Sequence, residues 1–459
     1  MYHGRIDNRV PDVPEWFAFD FEHGYLFCVS PCYVISLQAK RDLRLLYLDG
    51  SSAAKMNDGP MDSQDIVAWG KPRPEKFFAE LERIDALCEW GKPYGLDGFV
   101  RMEFHLCVSA AAECIIISRL IILYHSEAMI CNVSDTLEVV TLLDLLPTNV
   151  TERNRIPLVG TLSVYKQGLP PRPPPGPPPR PPHVEPPPGW RGSLPGDVLS
   201  RFEAHVAGGW HDLAPGETRV QLDYTGLITF YDPTLSSLVE ARQGKDRMHH
   251  NLQNISASDA ARVLAELRSV LTRKQGSGSS VDWKSTTRVV VERYADRLEY
   301  LRFLLSPNAT VMFTDAAAQA FAVRAQLLVM LGPYITTVDV PQQELSASAN
   351  LNVTWLAPVV RRCATTFTSH IPLGMLTPQE VRIHAAVENT LREICRRLGL
   401  LWVQFFDVEE ADEGKAAEVI EVGYRHIDEL ARLVAVGAMR ACVRPRGTSH
   451  SPDILTHGS

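Results

Sequence analysis

Hydrophobic residues follow three different patterns along the chain. Between residues 14 and 48 they come in short β-rich runs: Trp16-Phe17-Ala18-Phe19, Tyr25-Leu26-Phe27, Tyr33-Val34-Ile35-Ser36-Leu37 and Leu43 to Leu48. Gly24, Pro31 and charged residues punctuate them, which predicts strands. A stretch rich in Ser, Gly, Pro and Asp then predicts a loop to about residue 73. From Pro74 the period changes: Phe77, Leu81, Ile84 and Cys88 recur at helical spacing, with acidic residues between them. Gly91 and Gly95 end that helix, and Phe99 to Glu103 reads as another strand. Strand, loop, helix, strand is a crossover unit, whose two strands run parallel. Residues 126–130 and 137–146 are strand-like again.

The second half is dominated by helical periodicity. Helices are expected from Ser256 to about Lys274, over 284–305 and 315–331, from Thr377 to Leu398, and over about 410–435. Thr377-Pro378-Gln379-Glu380 has the cap, the first-turn proline and the returning glutamate of a capping box, and Gly399 reads as the stop. Arg219 to Asp223 and Leu227 to Tyr231 flank Thr225-Gly226 and predict a β-hairpin. Between the halves, 13 of the 19 residues from Pro170 to Pro188 are proline, a composition that forms extended polyproline II and packs as neither helix nor sheet. It reads as a stiff spacer rather than a proline ligand. The expected architecture is an α/β domain over 14–160, with a mixed or parallel sheet and a crossover helix. A proline-rich linker over 161–195 joins it to a mainly α-helical domain over 196–436, and residues 437–459 form a disordered tail.

Residues 106–124 are the most apolar stretch and about as long as a membrane span. Nine strongly apolar residues contribute about −3 to −5 kcal/mol to insertion, whereas Glu113 and Arg119 together cost about 5 to 7 kcal/mol. A single span there is the weakest of the functional alternatives. Two readings of 106–125 stand side by side: a retained intron, whose removal would join Phe99–His105 to Ser126–Ile130, and a real buried hairpin or helix.

Composition narrows the class. With 459 residues, 45% hydrophobic and 22% charged, the chain can bury more than one core, and a net charge of −8 offers no basic face for nucleic acid. Eleven asparagines include five that open an N-x-Ser/Thr triplet: Asn132, Asn149, Asn254, Asn308 and Asn352. Random placement would give about one, so the excess argues for the secretory route and for an extracellular or cell-surface protein. The start, Met1-Tyr2-His3-Gly4-Arg5, has no signal-peptide pattern, and the expectation is a gene model that lacks it. The nine cysteines form no CxxC pair, which disfavours zinc ribbons. Cys28 and Cys32 flank a Ser-Pro turn and are either a small disulfide loop or two thiols.

Phosphate-binding, zinc-protease, serine-hydrolase and calcium-loop signatures are missing from the sequence, and neither cofactor nor metal is expected. The remaining chemistry is acidic. Ligand sites in parallel α/β structures gather at the carboxyl ends of strands. Asp49 ends one such strand, Asp62 and Asp65 follow it, and Glu103 lies on the returning strand. These four are the candidate catalytic carboxylates of a glycosidase-like hydrolase, one protonated and one ionised. Trp16, Trp69, Lys55 and Arg101 are the candidate substrate-binding residues for carbohydrate, with Trp90 a further stacking face. The competing reading assigns the acids to turns and ion pairs in a non-enzymatic structural or interaction protein. His384 and Glu388, four apart on one helix, are expected to be a solvent-facing pair.

Leu48-Asp49-Gly50-Ser51-Ser52-Ala53-Ala54-Lys55, Met61-Asp62-Ser63-Gln64-Asp65 and Gly95 to Glu103 together resemble a family of uncharacterised fungal secreted proteins. The resemblance extends to Ala18–His23, Leu222-Asp223-Tyr224 and Glu292–Leu298. It implies secretion behind an N-terminal signal and no known activity. The family pattern runs from the Arg-Met-Glu strand straight into the next strand, in keeping with an intron at 106–125. Its end also differs, which implies that partners of Cys363, Cys395 or Cys442 have been lost.

Overall fold

The computed structural model describes residues 1–26, 32–49, 52–53, 59–104, 124–145, 220–245, 249–274, 276, 278–339, 355–405 and 413–433. Two units divide the chain: Met1–Asp212 with Ser236–Ala261, and Leu213–Leu235 with Arg262–Ser459. The proline run, residues 106–123 and the tail from 437 lie outside the described residues.

The first unit is built on a seven-stranded sheet. Its strands are β1 (Tyr2–Arg5), β2 (Glu15–Ala18), β3 (Cys32–Ala39), β4 (Leu45–Leu48), β5 (Gly98–Phe104), β6 (Tyr124–Ile130) and β7 (Leu137–Leu145), in the order β4-β5-β6-β2-β1-β3-β7. Only β4 and β5 pair in parallel, joined by the expected crossover, so the sheet is mixed. β1, before the expected start at residue 14, sits in the middle of the sheet. Phe17, Ile35, Phe99, Val100, Met129 and Ile130 are fully buried, and since Phe99-Val100 and Met129-Ile130 are neighbours in their strands, both faces of the sheet are covered there. Gly98 opens β5 because nothing larger fits: a Cβ there would lie 1.8 Å from the Met129 carbonyl oxygen. Asp97 beside it grips Arg41 through both carboxylate oxygens, at 2.6 and 2.8 Å. That hydrogen-bonded pairing holds its carboxyl below the usual carboxylate range.

Helices replace two predicted elements of this unit. Tyr25-Leu26, expected in a strand, belongs to α1 (Phe21–Leu26). Asp20 accepts from the His23 amide at 2.6 Å and turns the chain into a helix, while Gly24 lies against Tyr2, where a Cβ would sit 3.0 Å from the Tyr2 Cβ. The polar stretch expected as a loop contains α2 (Asp62–Trp69), which buries Ile66 and Val67 and ends at Gly70 in the left-handed conformation. The predicted helix from Pro74 starts later. A 3-10 turn spans Pro74–Lys76, and α3 (Glu80–Gly91) follows, burying Arg83, Ile84 and Leu87 and leaving Leu81 on the exposed face. A disulfide joins Cys88 of α3 to Cys131, just past β6. Cys32 is also disulfide-bonded. Cys28, its partner in the disulfide-loop reading, lies outside the described residues. A short helix, α4 (Val133–Thr136), precedes β7. Beyond the linker, α5 (Ser236–Arg242) and the start of α6 (Ala257–Thr272) complete the unit.

The second unit is helical. α7 (Trp283–Leu305), α8 (Ala316–Leu331), α9 (Leu356–Thr365), α10 (Pro378–Phe405) and α11 (Glu413–Leu433) pack around Leu301, Val323, Leu327, Leu391, Leu398 and Ile427. The Thr377 capping box forms as read, Glu380 accepting from the Thr377 amide at 2.9 Å. Burial alone would raise the Glu380 carboxyl, but hydrogen bonds from Ser279, Thr377 and Trp283 hold it at about 2. Gly399 does not end α10. It lets α9 come close, since a Cβ there would meet Leu356 at 2.9 Å. Cys363 and Cys395, expected to have lost their partners, are bonded to each other across α9 and α10.

The hairpin predicted around Thr225-Gly226 is a 3-10 turn, Tyr224–Gly226. Asp223 caps it, and the Thr225 carbonyl accepts from Arg273 and Thr377 instead of joining a strand ladder. Among the described residues one helix, Ala316–Tyr334, is long and apolar enough to cross a membrane by length and composition alone. Its Ala320, Val323, Leu327 and Met330 belong to the core of the helical unit.

Candidate functional site

The first unit gathers its charged groups at one end of the sheet. β2 and β5 are both antiparallel to β6, and β4 is parallel to β5, so β2, β4 and β5 all run the same way. Their register sets Leu48, Arg101, Glu127 and Ala18 in one row across the four strands. Just beyond that row come Asp49 after β4, Asp20 after β2, and Glu103 two residues along β5 from Arg101.

A chain of buried ionic contacts runs along this end. His23 of α1 meets Glu127 of β6 at 2.6 Å, and Arg101 donates to the other Glu127 oxygen at 2.9 Å. Arg101 also donates to Glu80 of α3 at 2.8 Å, and Glu80 accepts from Arg83 at 3.2 Å. Arg83 in turn reaches Asp65 of α2 at 3.1 Å. His23 and Arg83 are fully buried and Arg101 is 3% exposed, whereas Glu80, in the middle of the chain of contacts, is 22% exposed and the member nearest water. Three helices, α1, α2 and α3, are thereby held by charge to β5 and β6. The loop after β4 is tied down as well, the Ser52 hydroxyl donating to the Leu48 carbonyl and Gln64 to the Ser52 carbonyl.

The predicted site residues fall into three groups. Asp65 and Arg101 are members of the buried chain. Burial pushes the Asp65 carboxyl up, opposed by the Arg73 amide and by Arg83. Asp62 is 3% exposed, accepts from the Leu252 amide at 3.0 Å and has no ion pair among the described residues. Burial pushes its carboxyl up to about 6. Asp49 is exposed at the end of β4. Glu103 is described by its backbone only, paired with His125, and Lys55 lies outside the described residues. Trp16 lies under Arg101, whose guanidinium is 3.5 Å from the ring centroid, and Trp69 is surrounded by Arg73, Lys76 and Arg83 at 5.0–5.8 Å. One face of each ring is therefore given to a cation. Trp90 packs on Tyr94 at 5.0 Å.

His23, Glu80, Arg83 and Glu127 are the members that the sequence reading did not select. The signal was there, in charged residues set inside apolar strands: Arg101 in Phe99-Val100-Arg101-Met102 and Glu127 in Ser126-Glu127-Ala128-Met129. A charge flanked by core residues must find a buried counter-charge.

Among the sequon asparagines, Asn132 and Asn254 are exposed, Asn308 lies in a 3-10 turn, and Asn149 and Asn352 lie outside the described residues. In the helical unit, His384 and Glu388 are 3.8 Å apart and line a groove, His384 being only 9% exposed rather than solvent-facing. No group of three or more metal-binding side chains occurs among the described residues.

Asp62 carries a pH-dependence that can be measured. Between its ordinary value of 3.8 and about 6, the folded state keeps a proton that the unfolded chain has lost. Stability therefore falls as pH rises through that window, and above it the buried carboxylate is a net cost. Asp62→Asn keeps an acceptor for the Leu252 amide and carries no charge. It is expected to raise the melting temperature at pH 7.5 by roughly 3 °C, about 1 kcal/mol, and to change little below pH 4. A lower melting temperature at pH 7.5 in scanning calorimetry would contradict this account.

By architecture the first unit is a mixed-sheet α/β domain with a charged rim at the shared end of three co-directional strands. Residues 29–165 match the model of a protein family described as YPL277C N-terminal domain. Two curated proteins of Saccharomyces cerevisiae are similar to the chain. "Uncharacterized protein YOR389W" is 23% identical over 374 residues, covering 68% of this chain and 54% of the relative. "Uncharacterized protein YPL277C" is 25% identical over 291 residues, covering 50% of this chain and 53% of the relative. The chain is thus similar to a family of uncharacterised fungal proteins, and it spans about half the length of these curated relatives. No solved structure matches.

Proposed function

We propose that the chain is a secreted or cell-surface glycoprotein whose α/β unit binds or hydrolyses carbohydrate at the shared end of β2, β4 and β5. What supports the reading is that the backbone positions of Asp20, Asp49 and Glu103 share that end of the sheet, next to the buried charges that tie α1, α2 and α3 to β5 and β6. A glycosidase needs two carboxyl groups in unlike surroundings, on the order of 5–10 Å apart. In this reading Asp49, exposed at the end of the edge strand β4, is one acid and Glu103 its partner. Asp65 and Arg101 hold the loops in place. Asp62 is a buried carboxyl that holds α2 against the segment around Leu252. The five sequons support passage through the secretory route.

The test is a glycan array read for both binding and released sugar, comparing the intact chain with Asp49→Asn. Loss of hydrolysis by about a hundredfold or more with binding retained is the expected result for a catalytic carboxylate. A second reading, a non-catalytic interaction or structural protein, draws on Asp65, Glu80 and Glu127, each already paired with arginine. Under it, Asp49→Asn leaves every array signal unchanged, and the hydrolase proposal fails.

A further inference from the structure

We propose that the helical unit carries a separate binding site for a ligand bearing a phosphate, sulfate or carboxylate group, in the groove where the end of α9 meets α10. Two adjoining cavities form the groove, with volumes of about 530 and 320 Å³, and Arg362, Thr365 and Ser369 line both. Together they have room for a small polar molecule and one attached group.

Charge selects the ligand. Arg362 is already engaged, donating to the Tyr334 carbonyl at 2.9 Å and pairing with Asp339. Glu388 accepts from the Thr368 hydroxyl at 2.7 Å and lies 3.9 Å from Arg392. Two further arginines line the groove with no carboxylate at ion-pair distance among the described residues: Arg293 in the larger cavity and Arg361 in the smaller. Arg293 lies 5.4 and 5.5 Å from the ring centroids of Tyr334 and Tyr294, and its Nη2 donates to the Met330 carbonyl at 3.2 Å. Its Nε is sealed from solvent and has no hydrogen-bond partner among the described residues. The Tyr294 and Tyr334 hydroxyls also hydrogen-bond the guanidinium, so its chain partners are neutral and its charge is left without a counter-charge among the described residues. Arg361 is exposed at the groove mouth.

Thr366 and Ser369 line the larger cavity with hydroxyls that bond nothing among the described residues. The carbonyls at the end of α9 put partial negative charge on the floor, and the neighbouring Arg361 and Arg362 offset it. Arg293 then leaves the groove net positive. Guanidinium forks with nearby hydroxyls match a tetrahedral or planar oxyanion.

The test is isothermal titration of the full chain with inorganic phosphate, sulfate and glucuronate, each at constant ionic strength against chloride. At least one of the three is expected to bind, and Arg361→Gln to weaken it about tenfold, as for loss of one charge-assisted hydrogen bond. Arg293→Gln should weaken it similarly. Arg288→Gln, which removes an exposed arginine paired with Glu292, should leave it unchanged. Phosphate or sulfate binding alone would assign a phosphorylated or sulfated ligand, and glucuronate binding alone an acidic sugar. Failure of all three to bind beyond chloride, or equal affinity in Arg361→Gln and the native chain, overturns the proposal.

Discussion

Arg101→Met is expected to lower the melting temperature of the α/β unit by roughly 10 °C. The guanidinium bridges Glu127 and Glu80 at 2.9 and 2.8 Å while 3% exposed, and both carboxylates have elements folded onto them. Methionine keeps much of the volume and can still cover Trp16, so little of the loss comes from packing. The cost comes from leaving Glu127 buried without its cation, about 3–5 kcal/mol for a broken buried pair. A unit of this size loses roughly 2–4 °C per kcal/mol. A second variant separates charge from shape: Arg101→Met combined with Glu127→Gln removes the buried carboxylate that has lost its arginine, while Glu80 keeps Arg83, and should recover most of the loss. Scanning calorimetry of the two variants is the check. A shift below about 3 °C for the single substitution would mean that the buried chain does not hold the strand ends in place.

Removing the Cys88–Cys131 disulfide should cost the same unit about 4 kcal/mol, or roughly 10–15 °C. The bond closes a loop of 43 residues that contains β5. In the unfolded chain that constraint removes conformational freedom, and its effect grows slowly with loop length. The bond anchors α3, which supplies Glu80 and Arg83 to the charged row, beside the turn that follows β6. The Cys88→Ala/Cys131→Ala variant should therefore melt lower than the oxidised native protein, and reduction, which also opens the Cys32 disulfide, should lower the first unit at least as far. Because Cys363–Cys395 lies in the helical unit, reduction should also lower that unit's melting temperature, and the double variant should not. If reduced and oxidised protein melt together, the bond does not stabilise the fold.

Local patterns in the chain were enough for much of the architecture. Residues that repeat every 3.6 or every 2 positions declare their buried face, and Thr377–Glu380 sets its own helix start, because period and capping are decided by near neighbours. The crossover between Leu45–Leu48 and Gly98–Phe104 and the helical second half follow from the same signals. Misreadings came where a residue serves a distant partner. Gly399 looked like a stop and makes room for Leu356. Gly98 likewise makes room for a distant partner, the Met129 carbonyl. Thr225-Gly226 looked like a hairpin, but its backbone is claimed by Arg273 and Thr377.

The candidate site divides along the same line. The sequence by itself placed Asp49 at a strand end, because strand ends and acidic turns are local features. It also named Asp65 as a candidate catalytic carboxylate and Arg101 as a candidate substrate-binding residue, without their ion-pair partners. Only the tertiary structure decided that Arg101 is clamped between Glu80 and Glu127, that Asp65 answers Arg83, and that Asp62 sits buried against Leu252, 190 residues away. A charge's behaviour is set by its burial and its counter-charge, and both are contributed by segments far apart along the chain.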